Sequence, residues 1–155
     1  MLILAEIQVM GMVYATLELI NSDDLAMVRR GYMDIDEVKR MHVTMLADSG
    51  SYMLAINEHI QELLQFSVVE QRTAQLADGK TIVCDVVGPV DLRFANRRCT
   101  CSAFVLPGDA EPLLGAIPME DMDLIIHPQK QQLVVHPDHP DLAQMKMKAM
   151  AVEIA

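Results

Sequence analysis

The chain has 155 residues, of which 52% are hydrophobic and 22% are charged, and its formal net charge is -10. This length allows one domain with a genuine core, and the composition is that of a globular protein and not of a disordered one. The acidic balance leaves no basic surplus to displace counterions from a phosphate backbone. It therefore argues against a nucleic-acid-binding protein.

The cysteine count and the apolar runs indicate where the protein works. Cys84, Cys99 and Cys101 are too few, and odd in number, for a secreted disulfide scaffold. The apolar residues 1–5 are followed by Glu6 and preceded by no basic segment, so they do not match a signal peptide. No apolar run reaches membrane-spanning length. We therefore expect a protein of the reducing cytoplasm with no membrane partner.

The first third of the chain is predicted to be mainly β structure. Apolar and polar residues alternate in part, and β-branched residues are common, both of which favour strands. The predicted strands cover residues 2–9, 12–20, 25–33 and 43–47, with polar connections at 21–24 and 34–37. The pattern over residues 25–33 is ambiguous, and a strand there is expected to end at Gly31. The strand over residues 43–47 leads into Asp48.

After Asp48 the apolar period becomes that of a helix, predicted over residues 55–65. Its core-facing side chains are expected to be Leu54, Ile56, Ile60, Leu63 and Leu64. Turn residues then separate further predicted strands. These strands cover residues 67–76, 81–87, 90–94, 99–106, 124–126 and 132–135, and the first pair turns at residues 77–80.

The remaining segments are short. A second helix is predicted around Pro118, a residue common near helix starts, with Glu120 and Asp121 as first-turn acids. Residues 136–141 read as a solvated turn, and residues 142–155 as a helical or frayed tail.

No Gly/Ser-rich linker divides the chain. We therefore predict a single, mostly β domain over residues 1–155, with its core over about residues 11–136 and a C-terminal tail over residues 137–155.

The pattern most indicative of chemistry lies at residues 48–50. An apolar, β-branched strand leads to the carboxylate of Asp48 in a tight Asp-Ser-Gly turn. Gly50 allows the backbone to bend where a Cβ would clash, and Ser49 supplies a hydroxyl beside the acid. Asp-Ser-Gly also ends many ordinary strands, so the triplet alone is weak evidence of catalysis.

The order of the parts is more specific than the triplet. The chain contains, in this order, an Asp-Ser-Gly turn, a helix, a Leu-Ala-Asp-Gly hairpin, further strands and a Leu-Leu-Gly before a short helix. Over about residues 11–136 this resembles the retropepsin-like aspartic proteases, the single-domain relatives of pepsin, and particularly their bacterial members. The resemblance implies an all-β fold, an acid-protease-like closed barrel with one or two short helices, a single lobe per chain and a dimer.

The resemblance also implies roles for individual residues. Asp48 corresponds to the catalytic acid, and Ser49 and Gly50 to the residues that support its turn. The family's flap, a hairpin that covers the substrate, corresponds to residues 75–86 with Ala77, Asp78 and Gly79 at or beside its tip. The family's apolar-apolar-Gly motif near the active site corresponds to Leu113, Leu114 and Gly115. The chain departs from the family in having Ser where Thr is commoner, and Ala116-Ile117-Pro118 where viral members carry a polar residue and a more regular helix.

Aspartic protease chemistry needs two carboxylates about 3 Å apart that share one proton. This chain has one Asp-Ser-Gly, and the similar Leu76-Ala77-Asp78 follows too closely to mark a second lobe. Two chains must therefore each supply an Asp48 across a two-fold axis. The predicted function is that of a homodimeric aspartic endopeptidase that hydrolyses an extended polypeptide without a metal or organic cofactor.

Two alternatives remain open at this point. The chain could keep the fold as a non-catalytic peptide-binding or dimerisation module. It could also be a metal-binding regulatory domain that uses Cys99, Cys101, His127, His136 and His139. Positions 99 and 101 point to the same face of a strand, however, and a buried pair of thiols in the core explains them.

Overall fold

The structure is a computed structural model, and it describes residues 12–148. The predicted strand over residues 2–9 and the last part of the predicted tail lie outside the described residues. Within them the chain is mostly β, as predicted. None of the helices in the described part is long and apolar enough to cross a membrane.

Nine strands and three short α-helices make up the described chain. The strands are β1 Tyr14–Asn21, β2 Arg40–Ala47, β3 Leu54–Asn57, β4 Ser67–Gln75, β5 Thr81–Phe94, β6 Arg97–Leu106, β7 Leu113–Leu114, β8 Leu124–His127 and β9 Gln132–Val135. The helices are α1 Ser22–Arg29, α2 Glu58–Leu64 and α3 Ala116–Asp121, and a 3-10 turn covers Ile35–Glu37.

The strands form one seven-stranded sheet and a separate β8-β9 hairpin. The order in the large sheet is β1-β2-β7-β3-β6-β5-β4, and β1 also pairs with β5. Six strands are thus connected in a ring, and β4 lies outside it at an edge. The ring is not evenly arranged round one axis. The closed barrel therefore stays a prediction.

The short strand β7 lies between β2 and β3. It runs parallel to β2, with Leu46 opposite Leu113 and Ala47 opposite Leu114. It runs antiparallel to β3, with Leu113 opposite Ala55. This insertion brings residues that follow β6 to the end of β2, where the Asp-Ser-Gly turn begins.

Alternation along the strands directs apolar side chains into one core. In β2, for example, Val43, Met45 and Ala47 are buried while Thr44 is exposed. The most deeply buried side chains come from β1, β2, β3, β5, β7, α2 and the α3–β8 connection. They are Leu17, Leu19, Ile20, Met45, Leu54, Ile56, Leu64, Val87, Val90, Leu92, Leu114 and Met122.

The predicted strand over residues 25–33 is wrong, because this segment begins within helix α1. The predicted turn at residues 21–24 is the start of that helix. Asn21 is its N-cap residue, and the side-chain oxygen of Asn21 accepts a hydrogen bond from the Asp24 amide at 3.1 Å. Gly31, with φ +81°, follows the end of the helix. The cap and the first-turn acids determine the helix here, although its apolar pattern is weak.

The predicted helix over residues 55–65 starts later than expected, at Glu58. Leu54 and Ile56 are buried, but they belong to β3. The side chain of Asn57 accepts a hydrogen bond from the Ile60 amide and so marks the start of α2. Leu63 does not face the core, since half of it is exposed.

Two further boundaries differ from the prediction. The predicted strands over residues 81–87 and 90–94 are one strand, β5, with an irregularity in its pairing with β6 between Val87 and Val90. Helix α3 is present as predicted, but Glu120 and Asp121 lie at its end and not in its first turn.

The turn after β9 contacts the domain more closely than a solvated turn would. His139 Nδ1 lies 2.8 Å from Asp123 Oδ2, and the buried guanidinium of Arg97 donates to the His139 carbonyl. The Gln144 amide also donates to Asp123, and this bond is the main cause that lowers the pKa of the Asp123 carboxyl. Residues 142–148 of the predicted tail have no regular secondary structure.

Asn21 connects two helices, and its removal should destabilise the fold. Besides capping α1, its buried side chain donates to the carbonyls of Leu64 and Gln65 at the end of α2. We expect Asn21→Ala to lower the free energy of unfolding by about 2–4 kcal/mol, from the lost cap and the unpaired, buried carbonyl of Leu64.

Urea denaturation at one fixed protein concentration measures this loss. Asn96→Ala is the matched control, because Asn96 also donates to two carbonyls but is exposed. It should cost about 0.5 kcal/mol or less. Equal losses in the two variants would contradict the bridging role of Asn21.

Candidate active site

The site is built at the end of β2, where hydrogen bonds to two other segments fix the backbone. The Ala47 amide donates to the Val13 carbonyl at 2.7 Å, and the Asp48 amide donates to the Leu114 carbonyl at 2.9 Å. The chain therefore leaves β2 at a defined point, and the side chain of Asp48 is presented from a rigid support.

The carboxylate of Asp48 has a hydrogen bond to each oxygen. The Gly50 amide donates to Oδ1 at 2.9 Å, and the Ser51 hydroxyl donates to Oδ2 at 3.1 Å. A Cβ at position 50 would lie 3.1 Å from Asp48 Oδ1, which is tighter than ordinary contact. Glycine at position 50 thus lets the turn close on its own acid, as the sequence predicts.

Gly115 lets a second segment approach this turn. A Cβ at position 115 would lie only 2.3 Å from the Met53 carbonyl oxygen, so no other residue fits without backbone movement. The Ala116 amide then donates to the Ser51 carbonyl at 2.8 Å, and the Ile117 amide to the Tyr52 carbonyl at 3.0 Å. The first amides of α3 have no partner within the helix, and they therefore donate to carbonyls of the segment that follows Asp48.

These contacts bring together two of the three predicted groups of site residues. Residues 48–50 and residues 113–115 are far apart in the sequence, and they meet through β7 and the start of α3. The third group is the predicted hairpin. It is formed by β4 and β5, and its tip closes through the Leu76 and Lys80 backbones and the side chain of Asp78.

A cleft of about 430 Å³ separates the Asp48 turn from the hairpin. One wall comes from the turn and β3, another from β4 and the start of the hairpin tip, and the rest from β6 and β7. Its lining residues are Asp48, Gly50, Ser51, Tyr52, Met53, Ala55, Thr73, Ala74, Gln75, Leu76, Ala77, Phe104, Leu106 and Leu113. Ala77 lines the cleft, whereas Asp78 and Gly79 are exposed at the tip and do not line it.

The cleft holds one carboxylate. Apart from the phenol of Tyr52, Asp48 is the one ionisable group among the lining residues of the described chain. The carboxylate can accept or donate one proton, but a single group cannot act as base and acid in the same step. Chemistry that needs both roles therefore requires a second acid from outside this chain.

Sequence reasoning missed Ser51, which contacts the carboxylate. The role of bracing the turn was assigned to Ser49, which is exposed in the single chain. A hydroxyl three residues after an acid in a tight turn is a signal that could have identified Ser51. Thr73 and Phe104, in contrast, reach the cleft only through pairing of β4, β5 and β6, which no local pattern reveals.

The structure gives the metal-binding alternative no support. Among residues 12–148, no group of three His, Cys, Asp or Glu side chains is arranged to hold a metal ion. Cys99 is buried, and a hydrogen bond with Cys101, followed by burial, raises the pKa of the Cys99 thiol.

Comparison with known proteins adds no family assignment. No family model matches the chain, and no curated protein matches it.

The strand that leads to Asp48 and the tip of the hairpin should differ in mobility. Val43, Met45 and Ala47 are buried in β2, which pairs with β1 and, at its end, with β7, whereas residues 77–80 are exposed at the end of an edge hairpin. Local opening requires less free energy where few buried contacts are broken. We expect fast amide hydrogen exchange at residues 76–80 and slow exchange at residues 43–47, measured by mass spectrometry. Equal protection of the two segments would contradict a hairpin able to open over the cleft.

Proposed function

We propose that this chain is an aspartic endopeptidase that works as a two-fold homodimer and belongs to the retropepsin-like family. The observation that carries the proposal is the Asp48 carboxylate. It is half-buried, it accepts from the Gly50 amide and the Ser51 hydroxyl, and it lies in a cleft opposite a hairpin. These features supply a positioned acid, a space of substrate size and a hairpin to cover it.

The arrangement of the motifs supports the family likeness. The likeness rests on three patterns that are separated in the sequence, and all three lie around one cleft. The contact between Gly115 and the backbone of residues 52–53 explains why a glycine ends the Leu-Leu-Gly motif. The additional pairing of β1 with β5 supports closure of the sheet into an acid-protease-like barrel.

The need for a second carboxylate supports the dimer. In the proposed dimer the two Asp48 side chains face each other at the axis, where two carboxylates so close together share one proton. Ser49 is exposed beside Asp48 and is therefore available to the partner chain. In this proposal Ser51 and Gly50 orient each carboxylate within its own chain, while Ser49 contacts the other turn.

The proposed reaction uses the two carboxyl groups in opposite roles. The ionised group takes a proton from a water molecule, and the water oxygen adds to the carbonyl carbon of the peptide bond. The protonated group gives its proton to the carbonyl oxygen. The product of this addition is a neutral gem-diol. When it collapses, the group that took the water proton gives it to the nitrogen, the other group takes a proton back from a hydroxyl, and the C–N bond breaks to give an amine and a carboxylic acid.

The cleft fits an extended polypeptide as the substrate. Its lining is mainly apolar, with the polar side chains of Thr73 and Gln75 on the hairpin strand. An extended chain laid along the cleft could pair its backbone with strand edges and place alternate side chains into the apolar walls. The three free thiols of Cys84, Cys99 and Cys101 favour a reducing, cytoplasmic location for this activity.

Asp48→Asn should abolish peptide hydrolysis while the fold is retained, because the change is nearly isosteric but removes the general base. Cleavage of a peptide library, followed by mass spectrometry, measures the loss. We expect a fall of at least about a thousandfold, since both roles of the dyad depend on this side chain.

Asp36→Asn is the control for this variant. It is the same carboxyl-to-amide change, and Asp36 is exposed in the 3-10 turn at Ile35–Glu37. It lies outside both the cleft lining and the hairpin, and the change should leave turnover within about twofold of the parent. Cleavage by Asp48→Asn at the parent rate would overturn the aspartic mechanism. Peptide binding by parent and variant alike, without cleavage by either, would instead favour the peptide-binding module.

The pH profile provides a second test. The dyad loses its acid when both carboxyl groups are ionised and loses its base when both are protonated. Hydrolysis should therefore follow a bell whose two limbs belong to the coupled pair. Initial rates across a pH series at constant ionic strength measure it. A rate that rises with pH to a plateau, without an alkaline limb, would contradict a shared proton.

A further inference from the structure

Strand β4 (Ser67–Gln75) has a free edge. It is the last strand of the seven-stranded sheet and pairs with β5 alone among the described strands. All of its residues except Ala74 are exposed. An exposed edge strand of this length offers a row of unpaired amide and carbonyl groups to another strand.

The charges on this edge are complementary to themselves. Glu70 and Arg72 are the only charged residues of β4, and they lie on either side of Gln71. If a second copy of β4 pairs antiparallel with the first and Gln71 lies opposite itself, each Glu70 lies opposite an Arg72. Opposite charges that face each other across two strands stabilise the pairing, and a two-fold axis creates the contact twice.

The same charges disfavour the neighbouring registers. Pairing centred on Glu70 would place the two Glu70 side chains opposite each other, and pairing centred on Arg72 would do the same for the two arginines. Like charges directly opposite are destabilising. Pairing centred between two residues would oppose Glu70 and Arg72 with neutral side chains only. The register centred on Gln71 is therefore the one that the charges select.

The two side chains are already oriented for such a contact. Arg72 Nε donates to Glu70 Oε1 within the chain, so both lie on one face of the strand. They remain accessible, with 60% of Arg72 and 44% of Glu70 exposed. A second copy would extend this pair into a ring of four alternating charges, and such networks contribute more than isolated surface pairs.

We propose that β4 is a self-association surface, through which a second copy of this chain extends the sheet about a two-fold axis at Gln71. This contact does not depend on the proposed protease activity, and its axis differs from the one proposed at Asp48. A chain that uses both contacts has two different two-fold interfaces and assembles beyond a dimer. Pairing along a single strand edge gives a weak association. The test therefore traps the associated chains with a covalent bond.

The test is oxidative cross-linking of the full chain carrying Gln71→Cys. In the proposed register the two introduced thiols lie directly opposite each other, within reach of a disulfide. A disulfide-linked dimer should appear on a non-reducing gel under mild oxidation. Gln132→Cys, on the exposed first position of β9, is the matched control and should give only the background of the parent. Failure of Gln71→Cys to exceed this control overturns the proposal.

Charge reversal separates the specific register from accidental collision. In the Gln71→Cys background, Glu70→Arg alone or Arg72→Glu alone places like charges opposite each other twice and should slow cross-linking about five- to tenfold. An equimolar mixture of the two single-reversal proteins restores both opposite-charge pairs in mixed dimers, as does the double reversal in one chain, and cross-linking should recover. Unchanged rates in the single variants, or no recovery in the mixture, would overturn the register. Neither outcome bears on the Asp48 site, whose activity is measured separately.

Discussion

The hydrogen bond from the Asp48 amide to the Leu114 carbonyl is the contact on which the site depends. It exists because β7 inserts between β2 and β3, so that a segment from late in the chain meets the end of an early strand. Gly115 completes the arrangement, since any side chain there would collide with the Met53 carbonyl. The backbone around the acid is thereby fixed from both sides. In the proposed dimer, where each Asp48 carboxylate meets its partner at a defined distance, a support of this kind is required.

The two sides of the cleft differ in how firmly they are held. The turn below it is connected to buried strands, while β4 above it is an exposed edge strand that contacts the sheet through β5 alone among the described strands. This contrast suits a site that must hold an acid still and yet admit a polypeptide. In our proposals β4 has two uses, because one face lines the cleft and the free edge offers a pairing surface. Both uses follow from its position at the end of the sheet.

Much of the fold could be predicted where local chemistry is decisive. The Asp-Gly hairpin, the strand that leads to Asp48 and the final hairpin all have turn residues and alternation that specify them. Helix α1 was missed because its apolar pattern is weak and its cap at Asn21 determines it. Ser51 could not be told from Ser49, since both hydroxyls follow Asp48 within the same turn. The β4 and β6 residues of the cleft have no local signal, because only strand pairing brings them there. The insertion of β7 is likewise a tertiary contact, and the Leu-Leu-Gly pattern pointed to it only through a family likeness.

The central claim is that one active site requires an Asp48 from each of two chains. Mixing parent chains with Asp48→Asn chains under conditions of subunit exchange tests this directly, at constant total protein. In an equal mixture the parent homodimer is one of three species, and a mixed dimer has only one carboxylate. The rate of peptide hydrolysis should therefore fall to about one quarter of the rate of the same total amount of parent protein. At other mixing ratios the rate should vary with the square of the parent fraction. A fall to about one half, in proportion to the parent chains present, would show that each chain acts alone and would contradict the account.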